Sequence, residues 1–446
     1  MAEQSTSPAE PRFSVDVYQN EFLPEGGTEV NAIVTVAASG GSARAGLAGG
    51  AGTSGGSPGA AVVIMVDCSG SMRYPMVKMD SAREATAAAI GAVRDGVAFA
   101  VVAGTHRATE VYPGDGGLAT AGPTTRAAAR EALAALKPGG GTAIGTWLSL
   151  ADRLLATSDA RLRHGILVTD GRNEHEEPER LRQTLAECAG RFTCDARGVG
   201  TDWAVAEVRQ VAAALLGSAD IVAEPAGLAA DFTAMMEAAM GKEVPDVELR
   251  LWTPAGAGPL FVKQVAPAVE DLTHRRTETG PRVGAYPTGS WGEESRDYHI
   301  SVRVPAAEVG QEMLAGRVTL TTSDDEGLPL ALGQGLIRAV WTDDTAVSTR
   351  MSPQVAHYTG QAELAEAIQD GLELRKSGDL YGATAKLGRA VQLAHRSGNA
   401  ATARLLAKVV EVDDAANGTV RLKATVSDAD EMTLETRSTK TVRVKR

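Results

Sequence analysis

Aromatic side chains are scarce in this sequence, with five Trp, seven Tyr and six Phe among 446 residues, and much of its apolar fraction comes from Ala and Gly. Cysteine is scarcer still. Cys68, Cys188 and Cys194 cannot form a disulfide framework, and an odd count in so long a chain fits a reducing, cytoplasmic compartment. No uninterrupted apolar run approaches the roughly 20 residues needed to cross a bilayer, so no membrane span is expected. The opening MAEQSTSPAEPR is polar and lacks the apolar centre of a signal peptide. Positive charge is also in deficit: a net charge of -12 argues against general nucleic-acid binding. The G-x-x-x-x-G-K-[ST] phosphate loop and the G-x-S-x-G elbow are both missing, and no nucleophile is tied by pattern to a base. The chain therefore reads as a non-enzyme.

What is present is a globular composition, 43% hydrophobic and 22% charged, long enough for two to four domains. The most informative stretch is AVVIMVDCSGSM, Ala61 to Met72. Six consecutive apolar residues suit a central parallel strand covered on both faces. The run ends in Asp67, Ser69 and Ser71, with Gly70 between the serines, so a tight turn can aim three oxygen-bearing side chains at one point. One carboxylate with two hydroxyls suits a small, hard divalent ion better than zinc. The competing reading is a helix cap, for which Asp and Ser are also favoured. Cys68, inside the same loop, is either a redox-sensitive thiol or a small buried residue.

Taken in order, the chain divides by periodicity. Residues 1–11 read as a disordered N-terminus. Residues 12–38 alternate apolar and polar as two strands, and 39–59 form a Gly/Ala/Ser linker. From 60 to 242 strands alternate with helices, the doubly wound pattern in which sites lie at the carboxyl ends of strands. Residues 243–345 return to a period of two, with loops containing PTGSWGEES and TTSDDEG, and read as a β-sandwich. The two N-terminal strands have no other sheet to join, so the α/β domain is expected to be inserted in that sandwich. Residues 355–411 are helical and 412–446 form a basic tail.

Two further stretches belong with the Asp67 loop. Gly139-Gly140-Gly141-Thr142 opens a helix, and Leu167-Val168-Thr169-Asp170-Gly171 ends a strand; GVGTDWAVAEVRQVA, Gly198 to Ala212, is a later strand-to-helix turn. Together these resemble the von Willebrand factor A domain, whose D-x-S-x-S motif binds a metal at an adhesion site on top of a mostly parallel, Rossmann-like sheet. The resemblance covers about 180 residues. It implies that Ser69, Ser71 and Thr142 offer hydroxyls to the metal, and that Asp67 and Asp170 hold its water ligands or bind it outright. The ion implied is Mg2+, with Mn2+ close behind, and a protein partner supplies an Asp or Glu to its open position.

Glu174, Glu176, Glu177 and Glu179 follow Asp170; they either select a basic partner surface or sit at the N-terminus of the next helix, with His175 facing solvent. Gly371, Gly378, Ala383, Leu387 and Ala390 fall at the spacings of a tetratricopeptide-like hairpin, but with Ala367 and Leu374 where large aromatics are usual. Thr439 and Thr441 in the basic tail are candidate acceptors of phosphate for a phosphothreonine-binding partner, against the alternative of a frayed end or weak strand. The expected function is an intracellular scaffold or regulator that binds a partner carboxylate through the metal. The alternatives are an accessory subunit of a MoxR- or chelatase-type AAA+ ATPase, as some von Willebrand factor A proteins are, and a metal-dependent hydrolase.

Overall fold

The computed structural model describes residues 12–39, 59–74, 77–324 and 327–444. Residues 1–11 and nearly all of the 39–59 linker lie outside the described residues. The chain forms two compact units, one comprising Gly40–Pro245 with Gly289–Glu293, the other Arg12–Ser39, Asp246–Thr288 and Glu294–Arg446. The second unit begins with β1 (Arg12–Gln19), β2 (Phe22–Pro24) and β3 (Glu29–Ser39).

The first unit then runs β4 (Ala60–Asp67), α1 (Val77–Ala92), β5 (Ala98–Gly104), β6 (Thr109–Tyr112), β7 (Ala119–Thr120), α2 (Pro123–Ala134), α3 (Ile144–Leu155), β8 (Leu162–Thr169), α4 (Pro178–Cys188), β9 (Thr193–Val199), α5 (Val205–Ala214), β10 (Ala219–Val222) and α6 (Leu228–Met240). The strand order is β10-β9-β8-β4-β5-β6, with β7 also on β5. β4 pairs in parallel with β5 on one side and β8 on the other, and all eight of its residues are buried. That is why it reads as a continuous apolar run: helices cover both faces and neither edge is free. The chain leaves β4 first toward β5 and later returns on its other side as β8, so the carboxyl ends of β4 and β8 flank the point where the sheet reverses direction.

On β8 and β9, His164 and Asp195 form a polar lock. His164 Nε2 lies 2.9 Å from Asp195 Oδ2 and its Nδ1 2.8 Å from Thr193 Oγ1, while Asp195 Oδ1 accepts from Ser218 N and Oγ. Burial alone would raise the Asp195 pKa, but the His164 ring, Arg197 and Ser218 hold it well below the usual range. A lowered carboxyl pKa contributes stability above its unfolded value near 3.8, and this is lost as pH falls further. Asp195→Asn is therefore expected to cost about 3 kcal/mol at pH 7. The gap from wild type should close below pH 4 in denaturant titrations; a gap constant with pH would contradict the assignment.

The second unit continues with β11 (Lys242–Trp252), β12 (Gly258–Ala266), β13 (Glu270–Asp271), β14 (Thr277–Gly280), β15 (Val283–Gly292), β16 (Glu294–Arg303), β17 (Glu312–Ser323) and β18 (Pro329–Thr342). One sheet has the order β1-β3-β16-β12-β13 and the other β14-β15-β11-β17-β18-β2. The N-terminal β3 pairs along its length with β16, Val34 opposite Tyr298 and Val30 opposite Val302. The sheets meet where β1 crosses β18. A Cβ on Gly333 or Gly335 would come within 2.8 Å of Val15 or 2.6 Å of Val17, so these glycines admit the valines. PTGSWGEES, expected as a loop, is instead the end of β15 and the start of β16. Its Gly, Pro and Ser read as breakers, yet Thr288 and Trp291 are buried, and that burial overrides the local signal.

Helices α7 (Thr345–Ser348), α8 (Pro353–Ser377), α9 (Leu380–Ser397) and α10 (Ala400–Val409) follow, then β19 (Val410–Asp414), β20 (Thr419–Leu422) and α11 (Asp428–Arg437). α8 and α9 form an antiparallel pair in close contact, because a Cβ on Gly371 would meet Leu387 Cγ at 2.8 Å, and Gly378 ends α8 with φ +88°. The expected basic tail is corrected here. Val420 and Leu434 join Leu364, Ile368, Leu387 and Leu406 in one core. The last described residues are also bound: Val269 N donates to Thr439 O (2.8 Å), Thr441 N to Pro267 O (3.0 Å) and Thr441 Oγ1 to Val265 O (2.7 Å). Thr441 thus spends its hydroxyl inside the fold, and neither threonine stands on a free tail.

Candidate metal centre

The Asp67 loop is held at the top of the sheet by backbone bonds to two neighbours. Cys68 N donates to Gly104 O at the end of β5 (2.7 Å), Gly139 N to Cys68 O (2.8 Å) and Gly70 N to Gly140 O (2.8 Å). Gly140, at φ +78°, gives the second loop the turn this stitching requires. After Ser69 the chain enters a single 3-10 turn, Gly70–Arg73. Cys68 is 2% exposed and burial pushes its thiol up to about 12, so it acts as a small core residue.

All five candidate residues converge. Ser69 Oγ lies 2.8 Å from Ser71 Oγ, and Ser71 Oγ donates to Asp170 Oδ1 at 2.6 Å. A Cβ on Gly171 would meet Ser71 Oγ at 3.1 Å, Thr142 Oγ1 at 3.3 Å and Ser69 Oγ at 3.9 Å, so three hydroxyls from two loops surround one small space in front of a third. Asp67 is fixed beneath them: Oδ1 accepts from Ser69 N (2.8 Å) and Oδ2 from Thr169 Oγ1 (2.7 Å). Asp67, Ser69, Thr142 and Asp170 are buried, while Ser71 faces solvent. Among the described residues no three His, Cys, Asp or Glu side chains group as metal ligands. The donor set is two carboxylates and three hydroxyls, which fits a hard divalent ion that keeps part of its water.

Burial pushes Asp67 up to about 6, with the charge of Asp170 adding, against hydrogen bonds from Ser69 and Thr169. A carboxyl raised above its unfolded 3.8 binds more protons when folded, so its stabilising effect is full below that value and lost as pH rises through 6. A divalent ion held here would require the carboxylate, so its affinity is expected to fall as pH drops below 6. Relative to Asp67→Asn, metal-free wild type should gain thermal midpoint between pH 7 and pH 5, and the increment from Mg2+ should shrink over the same interval. An Mg2+ increment independent of pH would contradict the raised value.

Several supporting residues escape sequence reading. Lys78, at the start of α1, reaches both Asp170 Oδ2 and Asp202 Oδ2 at 2.8 Å. The segment after Asp170 closes over the start of α3 through Asn173 and Glu176: Ile144 N donates to Asn173 Oδ1 (2.7 Å) and Gly145 N to Glu176 Oε2 (2.8 Å). Asn173 Nδ2 in turn donates to Glu176 Oε2 (3.0 Å), and its backbone N–H donates to Glu207 Oε2 (3.1 Å). Of the four acids, Glu176 therefore caps the helix that carries Thr142 at its entry, Glu179 pairs with Arg182 on α4, and Glu174 and Glu177 are exposed. His175, expected to face solvent, is exposed but lays its ring on Gly141 and accepts from Thr142 N at 3.3 Å. An Asn and a Glu after a metal-loop aspartate are the available signal, though their partner helix precedes them in sequence.

Comparison with known proteins identifies the fold. A von Willebrand factor type A domain model matches residues 60–221, and a von Willebrand factor type A C-terminal domain model matches 392–438. No curated protein matches the chain. Among solved structures, the ArnB paralog VWA2 from Sulfolobus acidocaldarius shares the fold at TM-score 0.58 and 15% identity, with 96% of this chain and 98% of that one covered. A von Willebrand factor type A protein from Catenulispora acidiphila is 49% identical over 99% of both chains, with TM-score 0.91. That match, spanning the α/β domain, the sandwich and the C-terminal helices alike, shows that the chain belongs to the von Willebrand factor type A family.

Proposed function

We propose that the protein is a non-enzymatic, cytoplasmic interaction module in which Asp67, Ser69, Ser71, Thr142 and Asp170 hold Mg2+ or Mn2+ for a partner's carboxylate. The observation that carries this reading is the space in front of Gly171, bounded by three hydroxyls and flanked by two oriented carboxylates. A bound divalent ion supplies an electrophilic position that an Asp or Glu can complete. Ser71 is the exposed ligand and marks the side from which a partner approaches, and Tyr74, 78% exposed just beyond it, offers the aromatic surface that interfaces favour. Three buried free cysteines accord with a reducing compartment.

The test is affinity capture from the native host with wild type in Mg2+, wild type in EDTA and Asp67→Ala in Mg2+. A partner retained only in the first supports the reading. A partner retained in all three would assign binding to the sandwich or the helices instead.

A further inference from the structure

Lys78 is a cation in the first turn of α1, where the helix dipole disfavours positive charge. Its side chain is nonetheless only 11% exposed, and its ammonium is bonded to Asp170 Oδ2 and Asp202 Oδ2, each at 2.8 Å. The other oxygen of Asp170 accepts from Ser71 Oγ. Asp170 therefore stands between a hydroxyl that belongs to the metal space and an ammonium that belongs to neither the sheet nor the core. Asp202, on the loop after β9 and 65% exposed, is the solvent-side end of this bridge.

We propose that Lys78 is a resident counter-cation that competes with the divalent ion for Asp170 and so sets the metal affinity of the site, with Asp202 receiving the ammonium when the ion takes Asp170. The inference rests on the metal reading above. Two like charges on one carboxylate repel, and in this partly buried setting they are screened less than at the open surface. Removing Lys78 frees Asp170 for the ion. Removing the charge of Asp202 leaves Lys78 with Asp170 as its one anionic partner in the bridge and strengthens the competition. The two substitutions thus act in opposite directions, whereas a merely structural bridge would weaken the site whichever end was cut.

The experiment is calorimetric titration of the full chain with Mg2+ and with Mn2+ at fixed pH, with circular dichroism checking the fold. Lys78→Met is expected to raise affinity about tenfold, Asp202→Asn to lower it, and Lys78→Arg, which keeps the charge, to stay near wild type. Loss of affinity in both Lys78→Met and Asp202→Asn, or no change in either, would overturn the proposal while leaving the metal site standing. Absence of binding in wild type and Lys78→Met alike would overturn the metal reading and this one together.

Discussion

Asp67→Ala is expected to leave no measurable Mg2+ affinity. The side chain sits at the end of the central strand, buried, with both oxygens directed by Ser69 N and Thr169 Oγ1, and no other carboxylate reaches the metal space from β4. Alanine also strips Ser69 N and Thr169 of their acceptor, so the variant loses part of its loop order as well as a ligand. Asp67→Asn separates the two effects. It keeps the volume and an oxygen for Ser69 N while removing the charge, and it should fold with a near wild-type circular dichroism spectrum yet bind no Mg2+ in calorimetry. Wild-type affinity in Asp67→Asn would remove Asp67 from the site.

Gly171→Ala should be nearly as severe although it deletes no ligand. The added methyl would sit 3.1 Å from Ser71 Oγ and 3.3 Å from Thr142 Oγ1, inside the space those hydroxyls enclose. The backbone at Gly171 does not have positive φ, so alanine brings crowding without conformational strain. Metal affinity should drop at least tenfold, a loss of the size seen when groups around a metal are disturbed, at roughly 10–100-fold. The metal-free thermal midpoint should stay close to wild type. A Gly171→Ala protein that binds Mg2+ normally would mean that the three hydroxyls do not face a common ion.

Much of this was legible because it is local. The apolar run Ala61 to Val66 suits a doubly covered strand, Asp67 and Asp170 stand at or just after strand ends, and Thr142 stands just before a helix start. The alternating strands before and after the α/β domain lead to the expectation that they share a sandwich, and β3 pairs with β16 within it. The misreadings arise where distant contacts outweigh local signals. Pro287, Gly289 and Ser290 look like a loop, but burial of Trp291 and Tyr286 holds them in a strand. The C-terminal stretch has few large apolar residues, yet Val420 and Leu434 complete the core of the helices and Val444 packs beside Ile33 and Tyr358. The role of Glu176 could not be read from its own neighbours, since the N–H it satisfies belongs to Gly145, 31 residues earlier. Lys78 is the same case across 92 residues.

The most direct test of the central claim is anomalous diffraction from a crystal of the full chain grown with Mn2+. The account predicts a single strong peak in front of Gly171, at roughly 2.1–2.3 Å from the hydroxyls of Ser69, Ser71 and Thr142, with Asp67 and Asp170 bound to the ion or to its water. A peak elsewhere on the molecule, or none at saturating Mn2+ with that space taken by Lys78, would contradict it.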